Sequence, residues 1–310
     1  MIGKAVRVMD GGMGRELERR GAPFRQPEWS ALAMMQAPQI VKDVHRAFIE
    51  SGAEIIITNS YALVPFHIGE ARFSREAETL ADLSGQVARA AVAQAGQPVL
   101  VAGSIPPLFG SYRPDLYQPE HSERIATPLI TGLIPHVDYW LLETQSLIAE
   151  SVEVCRLLRK LDSNIKPIWI AFSLDDEGGV EAPRLRSGEA VDEAVRQVIA
   201  SDVTAILFNC CQPEFIEAAL KVAGETLLQL GRSDVELGAY ANAFPPQSAD
   251  AAANDNLNQL REDLDADAYL VWAKRWRQQN ATLIGGCCGI GPEHIATLSG
   301  YFASEADSQR

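Results

Sequence analysis

The chain has 310 residues, 47% of them apolar and 22% charged, which is ordinary globular composition with enough apolar material for a sizeable core. Its 41 acidic against 27 basic residues give a formal charge of -14, which argues against a surface built to track nucleic-acid phosphates. No run approaches the ~18 uninterrupted apolar residues of a membrane span. The opening MIGKAVRVMDGG lacks the apolar stretch and small-residue cleavage site of an export signal, so a cytoplasmic protein is expected.

Apolar, β-branched runs of strand length then recur with helical segments between them. The first run is AVRVMD (5–10). After it, IVKDVHRAFIESG places Ile40, Val44, Ala47 and Phe48 at i, i+4, i+7 and i+8 with Gly52 as a stop, the pattern of an amphipathic crossover helix. EIIIT (54–58) precedes a helix over 74–95, and PVLVAG (98–103) one over 119–136. DYWLLE (138–143) and PIWIAF (167–172) are followed by helices over 147–161 and 188–201. VTAILF (203–208), VELGAY (235–240) and ATLIG (281–285) lead into helices over 213–224, 258–279 and 292–303.

Continuous apolarity, rather than alternation, says that these strands are covered on both faces. Eight strands with eight helices predict a single-domain α/β fold, a closed (β/α)8 TIM-type barrel over 1–303, with 304–310 as a frayed tail. An open doubly wound sheet is the competing arrangement. The long connections 104–118, 173–187 and 241–257 all follow strands, where barrel enzymes build their sites, and the last is the one expected to move.

Four of the five cysteines form two adjacent pairs, each ending an apolar run: TAILFNCC (204–211) and ATLIGGCC (281–288). In parallel strands these ends open onto one face, where thiolates can hold a soft divalent metal such as zinc. Three thiolates would leave a position for a substrate, whereas four would close the site. Gly285 and Gly286 loosen the backbone so that Cys287 and Cys288 can share one target; no glycine does this for Cys210 and Cys211. A buried cysteine is more often a small hydrophobe, and Cys155 in CRLLRKL is read that way.

DGGMGREL (10–17), residues 27–63, LLET (141–144), FNC (208–210) and IGGCCGIGPEHI (284–295) resemble the homocysteine S-methyltransferase family. That family includes the homocysteine domain of cobalamin-dependent methionine synthase and the betaine enzyme. The resemblance runs from residue 8 to about 300, and its closing Gly-Gly-Cys-Cys-Gly motif is highly specific. It implies a (β/α)8 barrel with zinc on Cys210, Cys287 and Cys288, and leaves Cys211 a bystander. It also implies homocysteine contacts at Asp10, Gly11 and Gly12, and at Glu143, whose carboxylate would face the substrate ammonium. Without the resemblance, Asp10 reads equally as a helix cap and Glu143 as a structural ion-pair partner.

Asn59 and Ser60 after the second strand, Asn209 before the metal-ligand position and Asn242 after the seventh strand are further candidates for the mouth. Their other reading is that they satisfy loop backbone. His294 is expected to pack or cap the last helix, and Trp29 and Ser30 lie in a segment near the entrance. Residues 103–121 and 239–248 depart from the family's usual mouth-loop signatures, which bears on the methyl donor more than on the homocysteine half.

The implied reaction is zinc-dependent transfer of a methyl group from a sulfonium of the S-methylmethionine or S-adenosylmethionine class to homocysteine, or to a related selenol, giving methionine. The implied partners are small molecules, with no nucleic acid or membrane. A subunit fed by a separate corrinoid protein, marked by activity only with methylcobalamin, is one alternative. A zinc- or thiol-binding barrel without turnover, marked by tight homocysteine binding and no methyl transfer, is another. The oligomeric state is left open.

Overall fold

A computed structural model describes residues 4–164, 166–246 and 260–308 of the chain. Its elements begin with β1 (Arg7–Val8), α1 (Met13–Arg19), α2 (Ser30–Gln36) and α3 (Pro38–Glu50). They continue through β2 (Ile55–Ile57), α4 (Pro65–Ile68), α5 (Glu70–Val92), β3 (Leu100–Ile105), α6 (Ser122–Leu133) and β4 (Tyr139–Gln145). Next come α7 (Ile148–Leu161), β5 (Ile168–Phe172), α8 (Val191–Val198), β6 (Ala205–Asn209) and α9 (Pro213–Gln229). The chain closes with β7 (Glu236–Tyr240), α10 (Ala266–Gln278), β8 (Ala281–Ile284) and α11 (Pro292–Ser308).

All eight expected strands form, every neighbouring pair is parallel, and their order around the sheet is β1-β8-β7-β6-β5-β4-β3-β2. Arg7 pairs with Leu283 and Val8 with Ile284, while a parallel bridge joins Met9 to Ile55, so the sheet meets itself and the barrel is the outcome rather than the open sheet. Period-2 alternation divides the strand residues between two cores. Met9, Ile55, Ala102, Leu141, Trp169 and Leu207 fill the barrel interior. Their neighbours Trp140, Leu142, Ile170 and Phe208 pack outward under the helices.

The N-terminal end of the barrel is closed by paired groups. Arg7 Nη2 donates to Glu236 Oε1 at 2.8 Å, and Thr282 Oγ1 donates to Glu236 Oε2 at 2.9 Å. The Arg7 guanidinium lies 5.5 Å from the centre of the Trp169 ring, which itself sits 4.4 Å from that of Tyr139.

Several boundaries differ from the pattern reading. The segment expected as a helix over 258–279 begins at Ala266, because the Asp265 carboxylate caps the Ala268 N–H at 2.9 Å. The 188–201 segment starts at Val191 and ends in a 3-10 turn over Ile199–Ser201. At the C-terminus α11 continues to Ser308, beyond the expected end at 303. Helices α1, α2 and α4 were not expected; α1 and α4 are short, and α2 is apolar almost throughout, so none carries a clear 3.6-residue stripe. Most of the 241–257 connection, from residue 247 on, lies outside the described residues. Among the described residues no helix is long and apolar enough to cross a membrane.

Candidate metal and substrate site

At the C-terminal mouth, β6 ends at Asn209 and the chain turns at Cys210, whose φ of 51° lies in the left-handed region that residues with a Cβ seldom occupy. The turn decides which cysteine serves the mouth. Ala205 and Leu207 point into the barrel, so straight continuation of the alternation would send Cys210 outward and Cys211 inward. Instead Cys210 lines the mouth cavity, while Cys211 is fully buried in the outer apolar layer, where burial pushes its thiol up. Only one cysteine of this pair reaches the mouth, as expected where no glycine loosens the turn.

The sulfurs of Cys210, Cys287 and Cys288 all lie within 4.8 Å of one another. Cys210 and Cys287 are in disulfide contact, their Cα atoms 5.7 Å apart. Sulfurs that reach each other so closely, with a third inside the same radius, can converge on one soft cation once reduced. Electrostatics point the same way. Burial first, and then the nearby Glu143 carboxylate, push the Cys288 thiol up to about 12, so the cavity resists another negative charge unless a cation enters. The donor set and its surroundings therefore fit a thiolate-bound metal.

The loop carrying Cys287 and Cys288 is pinned on both sides. Gly286 N–H donates to Asp10 O at 3.0 Å, Cys287 N–H to Ala241 O at 2.9 Å, and Ala243 N–H to Cys288 O at 2.8 Å. Gly12 packs against it so closely that a Cβ there would stand 2.5 Å from the Cys287 carbonyl oxygen. At Gly286 a Cβ would collide with the Ile290 side chain, so this glycine serves close packing rather than an unusual φ.

Deeper in the cavity, two other strands each bring one hydroxyl to a buried carboxylate of β4. Glu143 from β4 accepts from Ser104 Oγ of β3 at 2.5 Å and from Tyr240 OH of β7 at 3.3 Å. Burial holds its carboxyl up to about 7 despite these two hydrogen bonds, which pull it down. Asp10 Oδ2 accepts from Ile57 N–H at 2.9 Å, whereas buried Asp10 Oδ1 has no hydrogen-bond partner among the described residues. Burial, the largest effect, and the Glu143 charge together hold the Asp10 carboxyl well above its usual range.

Asp10, Gly11, Gly12, Asn59, Glu143, Cys210, Cys287 and Cys288 thus line one cavity. Ser60, Asn209 and Asn242 are not on its wall. Ser60 Oγ donates to Ser104 O at 2.8 Å, Asn209 holds Thr144 through its N–H and its hydroxyl, each at 3.0 Å, and Asn242 Oδ1 accepts from Gln212 Nε2 and Phe244 N–H. They brace the residues that face inward. Cavity residues not anticipated include Tyr112, Thr144, Tyr240 and Phe244, and the bond from Ser104 to Glu143 was likewise not foreseen. Tyr240 and Ser104 were findable, since each stands two residues beyond an interior position of its strand. Trp29 stands at the entrance, its ring against Phe24, Tyr61 and His67. His294 behaves as expected, its Nδ1 accepting from Gly291 N–H at the start of α11.

Fold and cavity together define a parallel (β/α)8 barrel with a three-sulfur, metal-competent centre and buried carboxylates at the C-terminal ends of its strands. Residues 7–302 match the family described as homocysteine S-methyltransferase, and the chain belongs to that family. It is 30% identical to homocysteine S-methyltransferase 1 of Zea mays, over 94% of this chain and 93% of that protein. Among solved structures, it resembles the metallated form of the homocysteine methyltransferase MmuM from Escherichia coli, at 27% identity and a TM-score of 0.74. It also resembles the oxidized form of the same enzyme, at 26% identity and a TM-score of 0.77. Each of these two alignments covers 96% of both chains.

Proposed function

We propose that this protein transfers a methyl group from a sulfonium of the S-methylmethionine or S-adenosylmethionine class to the thiol of homocysteine, giving methionine, with zinc held by Cys210, Cys287 and Cys288. The observation that carries this reading is the convergence of those three sulfurs above Asp10 and Glu143 in a chain of this family. When bound, zinc supplies a Lewis acid that keeps a substrate thiol deprotonated near neutral pH. Its ligands require reduced thiols, which accords with a cytoplasmic setting. The homocysteine-binding unit is the barrel over 1–303.

The chain's own residues bind and orient the amino acid. Glu143, steadied by Ser104 and Tyr240, and Asp10, with Oδ1 open to a donor, face the substrate ammonium. An ammonium beside them offsets the burial that holds both carboxyls up, so amino-acid binding and carboxylate ionisation reinforce each other. Gly11 and Gly12 bring the β1 turn against the cysteine loop, and Asn59 completes that side of the wall. Ser60, Asn209 and Asn242 contribute by bracing it. Methyl transfer forms a carbon–sulfur bond with the homocysteine lone pair. The donor's carbon–sulfur bond breaks, and its electron pair leaves with a neutral thioether, so no side chain has to supply a proton.

The test is to assay reduced, zinc-loaded protein with homocysteine and a panel of S-methylmethionine, S-adenosylmethionine, betaine and methylcobalamin, detecting methionine by mass spectrometry. Methionine formed from a sulfonium supports the reading. Methionine from methylcobalamin alone transfers the role to a corrinoid-fed subunit, and tight homocysteine binding without methionine from any donor marks a binding barrel.

A further inference from the structure

The left-handed turn at Cys210 is held from outside its own strand. Its carbonyl oxygen accepts two hydroxyl hydrogen bonds, from Tyr112 at 3.2 Å and from Ser173 at 3.3 Å. Tyr112 belongs to the loop after β3 and Ser173 directly follows β5, so loops of two other strands fix the peptide after β6. Tyr112 is in turn fixed by the Arg186 guanidinium, 4.5 Å from its ring centre. Arg186 is paired with buried Asp176 at 2.9 Å, and Asp176 accepts from Gln212 N–H at 3.0 Å, two residues past the cysteine. The contacts form a circuit that returns to the turn it started from. A disfavoured backbone conformation persists only where its surroundings over-determine it, and these contacts do so.

We propose that Tyr112 is a positioning residue for the metal centre: with Ser173 it grips the Cys210 carbonyl and so maintains the turn that aims the Cys210 sulfur at Cys287 and Cys288. The proposal rests on the metal reading above. Without the two hydroxyls the peptide is free to relax toward extended geometry, in which strand alternation carries the Cys210 sulfur outward. Hydrogen-bond partners beyond the ligands themselves typically alter metal affinity by about 10–100-fold.

Tyr112→Phe removes one hydroxyl while keeping the ring under Arg186, and Ser173→Ala removes the other. Zinc affinity of the reduced protein is measured by competition with a chromophoric chelator, and ligand geometry by the visible spectrum of the cobalt(II)-loaded protein. Each single variant is expected to bind zinc on the order of tenfold more weakly, and the double variant more weakly still. The cobalt bands should shift, and the melting temperature of the metal-free protein should stay close to wild type. Wild-type zinc affinity and cobalt spectrum in the double variant overturn the proposal. So does weaker binding with an unshifted spectrum and a lowered metal-free melting temperature, which is a folding effect. Failure of the metal reading is separately visible: wild-type protein that binds no zinc, or a Cys210→Ser variant that binds it normally, removes the ligand set and this proposal with it.

Discussion

The two ends of the barrel handle charge in opposite ways. At the N-terminal end Arg7 meets Glu236, Glu236 also receives Thr282, and the guanidinium rests near the Trp169 ring. Arg7 and Glu236, both part-buried, thus neutralise each other. At the C-terminal end Asp10, Glu143 and Cys288 crowd one cavity, burial holds all three above their ordinary values, and Asp10 Oδ1 has no hydrogen-bond partner among the described residues. The same strands supply both ends, so the contrast reflects the side chains each end was given. Satisfied charges close the bottom and serve stability, whereas acids that burial holds back from their charged forms can be relieved by a metal ion and an ammonium.

The comparison breaks most sharply at the cysteines. Cys210→Ser, Cys287→Ser or Cys288→Ser should each lower zinc affinity by more than the roughly 10–100-fold that an outer hydrogen-bond partner costs, while Cys211→Ser should leave it near wild type. Metal analysis after dialysis against a weak chelator checks this, and full zinc in the Cys210 variant would remove that residue from the site.

The bottom should respond in stability alone. Trp169→Ala deletes a ring only 1% exposed and should cost about 3–5 kcal/mol in urea unfolding, with the zinc affinity of the folded protein unchanged. A selective loss of zinc would show that the two ends are not separable.

Glu143→Gln tests the mouth more finely. It should weaken homocysteine binding by about 1.5–3 kcal/mol, roughly 10–100-fold, as expected for loss of a hydrogen bond to a charged group. Calorimetry on the zinc form measures this, and an unchanged affinity takes Glu143 out of substrate binding.

The smallest effect concerns Glu150 on α7, which accepts from Leu108 N–H behind the mouth loop after β3. Burial raises its carboxyl from 4.5 to about 7, against that hydrogen bond. The folded state therefore holds this proton more tightly than the unfolded chain does. Its contribution is full below 4.5 and is lost as pH rises through about 7. Glu150→Gln should accordingly gain stability relative to wild type at about pH 8, and the gain should shrink toward pH 5. Parallel pH profiles of unfolding for the two proteins would contradict the assignment.

Much of this architecture was legible in the sequence because strands buried on both faces must be written as apolar runs. All eight runs became strands, and the barrel followed. That the two cysteine pairs would meet was legible for a similar reason, since strand ends in a parallel barrel share a face, whereas the choice of three among the four came from the family resemblance. What the pattern could not show was the meeting of Ser104, Glu143 and Tyr240, which depends on how three strands are staggered around the barrel. Nor did it show that Ser60, Asn209 and Asn242 would turn behind the wall, because a polar residue at a strand end has the same signature whether it faces a substrate or a backbone. The choice between Cys210 and Cys211 rests on one φ angle, supported from loops more than 30 residues away in sequence at their nearest.

The junction of β8 with β1 has a bearing on how the molecule comes into being. Cys287 and Cys288 follow the strand that completes the barrel, and Gly12, just beyond the first strand, packs against them. Two of the three proposed ligands therefore reach the site only when the last strand docks beside the first. A chain cut short before Cys287 would therefore lack two of the three proposed ligands, whatever its earlier strands had formed.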